Sequence, residues 1–174
     1  MAKLEIIEYP DPLLRQQAKL VERFDASLHG LIENLTQTLY STEGIGLCAP
    51  QVGKSVQLLV MDLSCKQSEP EVFINPAIVS RAGFAIVDES CLSIPGVSAK
   101  IMRASAVTVT AQDAEGQVFE REVEGMKAVC LQHEIDHLQG KLFIDRVSRL
   151  RQLRFRRALH RLENNAGCSF LQPA

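Results

Sequence analysis

Two histidines and a glutamate near position 135 have the residue types and the spacing to do chemistry together. The sequence there is His133-Glu134-Ile135-Asp136-His137, so on a helix the two imidazoles lie four residues apart and share one face. From that face both could bind one metal ion. Glu134 is rotated by about 100° from His133 on a helix, so its carboxylate can lie beside the metal without binding it. A metal-activated water next to a carboxylate is the equipment needed to hydrolyse an amide.

The histidine pair alone leaves a hydrolytic metal site incomplete, because such sites usually have three protein ligands and an open position for water. The candidates downstream of the pair are Asp145, His160 and Glu163. His160 stands in an arginine-rich segment and is predicted to face solvent. The upstream candidate is Cys91, in a segment predicted to be a loop between strands, where the backbone could aim a thiolate at the metal.

The composition is that of one soluble domain with a sizeable core. The 174 residues are 46% hydrophobic and 23% charged, and the net charge of −2 gives no overall bias towards nucleic acid or membranes. No apolar run approaches a transmembrane span, and the first residues are typical of neither a secretory signal nor a transit peptide. With five cysteines and no such signal, we expect free or metal-bound thiols in a reducing, cytoplasmic environment.

The first elements that must position these residues are a helix and a set of strands. Leucines at helical spacing from Leu28 to Leu39 predict a core-facing helix, with Asp25 or Ser27 as its cap. Alternating or β-branched runs predict four strands, at 56–62, 72–74, 106–110 and 117–124. Asn75-Pro76 is expected to stop the second strand, and a turn at 113–116 is expected to join the last two into a hairpin.

The histidine pair is predicted to lie on a helix from Met126 to about Leu138, with Gly140 as its stop. A further helix is predicted at about 148–163, and 164–174 is expected to be a flexible tail. The fold class is therefore predicted to be α+β, in a single catalytic domain over residues 1–163. A helix leads, mainly antiparallel sheets pack around a central metal-bearing helix, and a C-terminal helix follows.

Three motifs of the chain resemble those of peptide deformylases. The segment from Gly44 to Gln51 resembles the family's G-x-G-L-A-A-x-Q motif, residues 89–93 resemble E-G-C-L-S, and residues 132–137 resemble Q-H-E-x-D-H. They occur in the family's order and at its spacing, within a likeness that spans residues 4 to about 160. Three motifs together, one of them with a cysteine, are far more specific than the histidine pair alone.

The resemblance implies a metal centre and a substrate. By it, Cys91, His133 and His137 hold one divalent ion, natively Fe(II), with zinc, nickel or cobalt also accepted. A thiolate with two imidazoles suits such borderline-soft ions. The family removes the formyl group from the N-terminal formyl-methionine of nascent peptides.

The resemblance also implies roles around the metal. Glu134 is the general base and acid, while the Gln51 side chain and the Leu92 backbone N–H stabilise the oxyanion. Glu89 and Arg103 match charged family positions and are expected to pair behind the cysteine. Substrate-binding positions are expected to be Gly44, Ile45, Gly46, Ser90, Met126, Val129 and Cys130.

The sequence departs from the family pattern at two positions. Ser90 stands where the family usually has glycine, and a serine would strain a left-handed backbone there. An inactive, metal-binding relative is therefore the main alternative. Cys48 replaces the commoner alanine, a change expected to be silent. A zincin-type endopeptidase is the weaker alternative, because the upstream Cys91 ligand argues against it.

The C-terminal region is strongly basic. Seven arginines and no acid lie between Arg146 and Arg161. A solvated helix face is the simplest interpretation, but this charge opposes the acidic remainder of the chain. Deformylases with a C-terminal helix dock on the ribosome, so the resemblance implies ribosome contact here, without recognition of a specific nucleic-acid sequence. No membrane partner is expected.

Overall fold

The chain folds into two antiparallel sheets around a central helix, in a computed structural model that describes residues 3–64, 66–153 and 155–169. The α-helices are α1 (Ala26–Tyr40), α2 (Gly125–Leu138), α3 (Arg149–Gln152) and α4 (Arg156–Ser169). The strands are β1 (Gly46–Cys48), β2 (Leu58–Met61), β3 (Glu71–Ala82), β4 (Ala85–Cys91), β5 (Ile94–Arg103), β6 (Ala106–Gln112) and β7 (Val118–Glu124). The predicted α+β class and the antiparallel pairing are confirmed.

The larger sheet has five strands in the order β1-β2-β3-β6-β7, all antiparallel. Within it β6 and β7 form the predicted hairpin, closed by the 113–116 turn. The smaller sheet is the separate hairpin of β4 and β5. The residues between the two sheets therefore contact a five-stranded sheet on one side and a two-stranded hairpin on the other.

Helix α1 begins where its sequence provides a cap. The side chain of Asp25 accepts hydrogen bonds from the backbone N–H groups of Ser27 and Leu28, which otherwise have no partner in the first turn. The apolar face of α1 then packs on β1 and β2, with Leu35, Leu47 and Leu58 in one buried cluster. This confirms the predicted helix and fixes the start of the segment that follows it.

From Ala128 to Leu138 helix α2 is largely buried, which is unusual for a helix with so many polar residues. One side packs on the large sheet, where Leu131 and Ile135 join Phe73 and Val109 in a core cluster. Another side carries His133 and His137 towards the small sheet, with Glu134 next to them against β1. Because buried polar groups are costly unless they find partners, this side must be matched by polar groups across the gap.

Strand β3 continues through Asn75-Pro76, so the predicted stop there is wrong. Asn75 has a left-handed φ of 52°, which asparagine tolerates, and the β3–β6 register shifts between Ile74 and Ala77. The Asn75 side chain bonds both the N–H and the C=O of Val21. This β-bulge accommodates Pro76, which has no backbone N–H to donate to the neighbouring strand.

The hairpin of β4 and β5 was not predicted as strands, and Cys91 is not in a loop as expected but is the last residue of β4. Pro95 and Gly96 are residue types that favour loops, yet they lie at the start of β5, where a proline is tolerated. The turn between the strands is only Leu92-Ser93. Burial alternates along β5, with Val97, Ala99 and Ile101 inward.

The C-terminal helix differs from its prediction in two ways. The segment predicted as one helix at 148–163 is divided into α3 and α4, and α4 continues to Ser169, so 164–169 are helical rather than a flexible tail. No proline occurs between Pro95 and Pro173 to end this helix earlier. The last five residues of the predicted tail, 170–174, lie outside the described residues. Leu159 and Leu162 pack against a cluster that includes Ile94 and Phe143.

None of the helices described here is long and apolar enough to cross a membrane.

Candidate metal centre

Three side chains, two from helix α2 and one from the small sheet, lie close together. Helix α2 supplies His133 and His137, and the end of β4 supplies Cys91. Their donor atoms all lie within 4.8 Å of one another, with Cys91 Sγ 3.2 Å from His137 Nε2. One thiolate and two imidazoles at this separation fit a single four-coordinate ion with one position left for water. The donor set therefore suits the implied metal.

The two histidines have different electrostatic surroundings. Burial lowers the pKa of His137 well below its ordinary value, and the nearby His133 adds to this effect. Burial also acts to lower the pKa of His133, but hydrogen bonds with Cys91 and Glu89 outweigh it and raise that pKa to about 10. A metal ion on His133 must therefore displace a proton, whereas His137 is already neutral.

A chain of alternating charges holds His133 from behind. His133 Nδ1 lies 2.8 Å from Glu89 Oε2, so its other nitrogen, Nε2, is left for the metal. Arg103 donates two hydrogen bonds to Glu89, which confirms the predicted pair. Burial alone would raise the pKa of Glu89, but hydrogen bonds from Arg103 and His133 hold it at about 2. Glu89 is therefore a carboxylate at neutral pH.

The charge chain extends further than the sequence predicted. A third nitrogen of Arg103 donates to Asp136, and Arg146 donates to both oxygens of the same carboxylate. Asp136 is buried, so it holds these two guanidiniums rather than capping surface charge. Arg146, counted from the sequence with the basic C-terminal cluster, therefore has a structural partner. Its spacing of ten residues from Asp136 is not a helical one, so no sequence pattern indicated this pair.

Glu134 lies beside the three donors but is not one of them. It is 4% exposed, and its Oε2 has no hydrogen-bond partner among the described residues. Burial raises the pKa of Glu134, and the charge of His133 and a hydrogen bond from Cys48 oppose this only in part. A buried carboxylate with one unpaired oxygen is a ready proton acceptor.

Gly46 is required by the closeness of Glu134. A Cβ at Gly46 would lie 2.7 Å from Glu134 Oε1 and 2.8 Å from Cys130 Sγ, closer than real contacts allow. Because β1 is held in the sheet, the backbone cannot move away to make room. Glycine therefore lets β1 approach the metal helix closely.

Gln51 approaches the centre from the 3-10 turn Ala49–Val52 that follows β1. Its Oε1 accepts a hydrogen bond from the Cys48 N–H at 3.0 Å and another from Cys48 Sγ at 3.2 Å. Its Nε2 lies 3.6 Å from Cys91 Sγ and 3.3 Å from Ser93 Oγ. The amide N–H groups therefore face the metal centre. Ser93, which is fully buried, was not singled out from the sequence.

A cleft of about 570 Å³ opens onto the metal centre. Every predicted substrate-binding residue lines it, as do Gln51 and the proposed oxyanion residue Leu92. Met126 and Ile45 are more than a third exposed and lie at its rim, while Val129 and Cys130 are buried deeper. The lining residues predicted from the sequence are Gly44, Ile45, Gly46, Ser90, Met126, Val129 and Cys130.

The backbone at Ser90 is not left-handed. Among the non-glycine residues that the structure describes, positive φ values occur only at Gln67 and Asn75. Ser90 lies in β4, paired with Ser98, and its side chain is exposed at the cleft. The conformational strain that the sequence raised as an objection to activity is therefore absent at this position.

The other candidate third ligands lie elsewhere. Asp145 lies in the 3-10 turn Phe143–Arg146, where it accepts one hydrogen bond from Arg15 and another from the backbone N–H of Leu142, which precedes the turn. Glu163 accepts a hydrogen bond from the Tyr9 hydroxyl, and His160 lies 3.5 Å from the same carboxylate. Of the four candidates weighed from the sequence, only Cys91 joins the histidine pair.

An α+β domain with a Cys-His-His cluster, beside a buried glutamate with one unpaired carboxylate oxygen, is arranged as a metal-dependent hydrolase. Comparisons with known proteins narrow this class. The family model described as polypeptide deformylase matches residues 3–153. A peptide deformylase of Chromobacterium violaceum is 46% identical over 163 residues, which cover 94% of this chain and 98% of that protein.

Solved structures similar to this chain are also peptide deformylases. A crystal structure of a peptide deformylase from Legionella pneumophila has a TM-score of 0.88 and 44% identity, and the match covers 99% of this chain and 100% of that one. A Plasmodium falciparum peptide deformylase has a TM-score of 0.92 and 32% identity, covering 97% and 100%. The chain belongs to the peptide deformylase family, and the resemblance seen in its sequence is confirmed.

Proposed function

We propose that this protein removes the formyl group from the N-terminal formyl-methionine of newly synthesised peptides. The observation that carries the proposal is the convergence of Cys91, His133 and His137 next to Glu134, whose Oε2 has no partner among the described residues, in an open cleft. Membership of the peptide deformylase family gives the reaction class. The following steps assign a role to each group.

Cys91, His133 and His137 would hold one divalent metal ion. The thiolate and two imidazoles suit a borderline-soft ion, and we propose Fe(II) as the native one, with zinc, nickel or cobalt as substitutes. When bound, such an ion supplies Lewis-acid activation of a water molecule and of the formyl carbonyl. Glu89 keeps the ring of His133 in a fixed orientation through its 2.8 Å contact.

Glu134 is proposed as the general base and then the general acid. Its raised pKa and its free Oε2 favour taking a proton from the attacking water and returning it to the amine that leaves. Catalysis by a group of this kind typically contributes about 10²–10⁴ in rate.

Gln51 and Leu92 are proposed to stabilise the oxyanion that forms at the formyl carbon. The Gln51 amide is already turned with its N–H groups towards Cys91 Sγ. Leu92 follows Cys91 directly in the hairpin turn, so its backbone N–H lies beside the same centre. Loss of one such donor typically costs about 3 kcal/mol of transition-state stabilisation.

The methionine side chain is proposed to enter the cleft between α2 and β1. Val129 and Cys130 provide a buried apolar wall one turn before His133, and Ile45 and Met126 border the entrance. An unbranched thioether fits an apolar wall of this kind without leaving a polar group unpaired. Gly44 and Ser90 line the same cleft, where the peptide backbone would run.

The direct test is turnover of formyl-Met-Ala-Ser with metal analysis of the same protein sample. Release of formate by metal-loaded protein supports the proposal. A loaded protein that releases no formate would instead indicate the inactive metal-binding relative. Cleavage of internal bonds in an unformylated peptide would indicate an endopeptidase.

We also propose that the basic C-terminal helix contacts the ribosome, where such substrates emerge. Arg156, Arg157 and Arg161 are exposed on α4, while its apolar side is packed on the domain. Binding to a phosphate backbone through such a cluster depends strongly on salt. Changing all three arginines to Gln should weaken co-sedimentation with ribosomes at low salt. Arg81→Gln, an exposed arginine on β3, is the control, and equal binding by both variants would contradict the proposal.

A further inference from the structure

Cys48 lies at the junction of two groups that the proposed reaction uses. It is fully buried at the end of β1 and precedes the 3-10 turn that carries Gln51. Its backbone N–H and its thiol both donate to Gln51 Oε1, at 3.0 and 3.2 Å. The Glu134 carboxylate lies near the same thiol. The sequence alone suggested a silent replacement of alanine, but these contacts give the side chain a definite position between the oxyanion donor and the base.

The contacts of Cys48 determine which way the Gln51 amide faces. A backbone N–H can only donate, so the amide atom that faces it must be the oxygen. The NH₂ group is then turned the other way, towards Cys91 Sγ and Ser93 Oγ. The contact to Ser93 Oγ is long for an oxygen acceptor at 3.3 Å, whereas 3.6 Å is an ordinary length for a hydrogen bond to sulfur. The shortest contacts of the Gln51 amide are those of its oxygen, with Cys48.

We propose that the Cys48 thiol is a positioning group, which holds the Gln51 amide with its N–H groups directed at the forming oxyanion. This inference rests on the proposed deformylation and extends it to a residue that departs from the family motif. Alanine, which the family motif has at this position, would keep the backbone bond to Gln51 and lose the thiol bond. The amide oxygen would then be held by a single hydrogen bond, and fewer conformations of the amide would place an N–H on the oxyanion.

The test compares Cys48→Ala with Cys48→Ser in the metal-loaded protein, using formyl-Met-Ala-Ser as substrate. One weak hydrogen bond corresponds to a rate factor of about three to ten, so Cys48→Ala should lower kcat by about that factor. KM should stay unchanged, because the oxyanion exists only after the substrate is bound. Cys48→Ser keeps a donor at the same place and should restore kcat to within about twofold of the parent protein.

A double-mutant cycle with Gln51→Ala identifies the route of the effect. If Cys48 acts through Gln51, removing the thiol should change kcat much less once the amide is gone. Equal loss in both backgrounds would overturn the proposal, and so would an unchanged kcat in Cys48→Ala or a loss that Cys48→Ser fails to restore. Val109→Ala, a truncation in the same core cluster away from Gln51, controls for general loosening of the core.

The parent protein separates this inference from the proposed function. If metal-loaded parent protein releases no formate, the proposed function fails and no kcat exists to compare. If the parent protein is active and Cys48→Ala matches it, only the positioning role of Cys48 fails. Val109→Ala should lower the melting temperature and leave kcat unchanged, whereas a kcat loss equal to that of Cys48→Ala would assign the effect to packing.

Discussion

The two walls of the cleft differ in how they hold their functional groups. Helix α2 carries His133, Glu134 and His137 on one rigid element, with spacing fixed by the helical turn. The β4–β5 hairpin carries Cys91 at a strand end, where the register shifts between Ser90 and Cys91. One wall is set by local sequence, whereas the other depends on long-range contacts to place a single thiol.

The buried ion chain joins the two walls. Glu89 of β4 contacts His133 of α2, and Arg103 of β5 bridges from Glu89 to Asp136 of α2. Each buried charge has an opposite partner, which is the condition for charges to be tolerated in a protein interior. The hairpin therefore does more than supply a ligand, because it also provides charged partners for His133 and Asp136 of the helix. Breaking the hairpin side should affect metal binding, whereas breaking the helix side at Glu134 should affect only catalysis.

The largest expected effect comes from removing Cys91, the proposed metal ligand that the β4–β5 hairpin supplies. Cys91→Ala leaves two imidazoles from one helix, too few for a closed metal site, so bound metal and formate release should both be lost. Metal analysis after dialysis measures the first effect. Cys130→Ala removes another buried thiol, one that is not among the three donors, and should retain the metal. A Cys91→Ala protein that stays fully loaded would refute the third-ligand assignment.

Glu134→Gln tests the helix wall without removing a ligand. The amide cannot accept the water proton, so kcat should fall by about 10²–10⁴ while the metal content stays at the parent level. Steady-state formate release and metal analysis on the same sample separate the two quantities. Turnover close to that of the parent protein would exclude Glu134 as the base. Loss of metal would mean that Glu134 is a ligand, contrary to its place outside the donor cluster.

Glu89→Gln is expected to have an intermediate effect, because it weakens the link between the walls. The glutamine keeps a hydrogen-bonding group beside His133 but removes the charge that pairs with Arg103. Loss of such a partner behind a metal ligand typically lowers metal affinity by about 10–100-fold. Competition with a chelator measures this affinity. Asp88→Asn, an exposed neighbour on the same strand, should leave it unchanged, and equal loss in both variants would contradict the link.

The same contrast explains what the sequence could predict. The α2 residues follow from a local pattern, since a spacing of four on a helix places two side chains on one face without further information. Helix α1, the β6–β7 hairpin and the α+β class also follow from local periodicity and turn residues. Cys91 could be assigned to the site only by resemblance to a family. It is far from His133 along the chain, and only the tertiary structure brings the two residues together.

The errors have a common physical origin. β4 and β5 were missed because Pro95 and Gly96 favour a loop locally, while pairing over the whole length of the hairpin outweighs that preference. The stop at Asn75-Pro76 was wrong because a bulge with side-chain bonds to Val21 compensates for the proline. The Arg146–Asp136 pair could not be predicted, because it forms only when the chain after α2 folds back so that Arg146 contacts the helix.

The smallest expected effect concerns the residue at which the hairpin departs from the family pattern. Because Ser90 has no left-handed φ and is paired in β4, Ser90→Gly should gain no relief of strain and should lose strand stability. A glycine inside a strand costs about 0.5–1 kcal/mol in conformational entropy, which denaturant unfolding can resolve. Ser98→Gly, the partner across the hairpin, should lose about as much. If Ser90→Gly instead raises the free energy of unfolding while Ser98→Gly lowers it, then serine does strain the hairpin. The hairpin wall would then store strain beside Cys91 that the helix wall does not have.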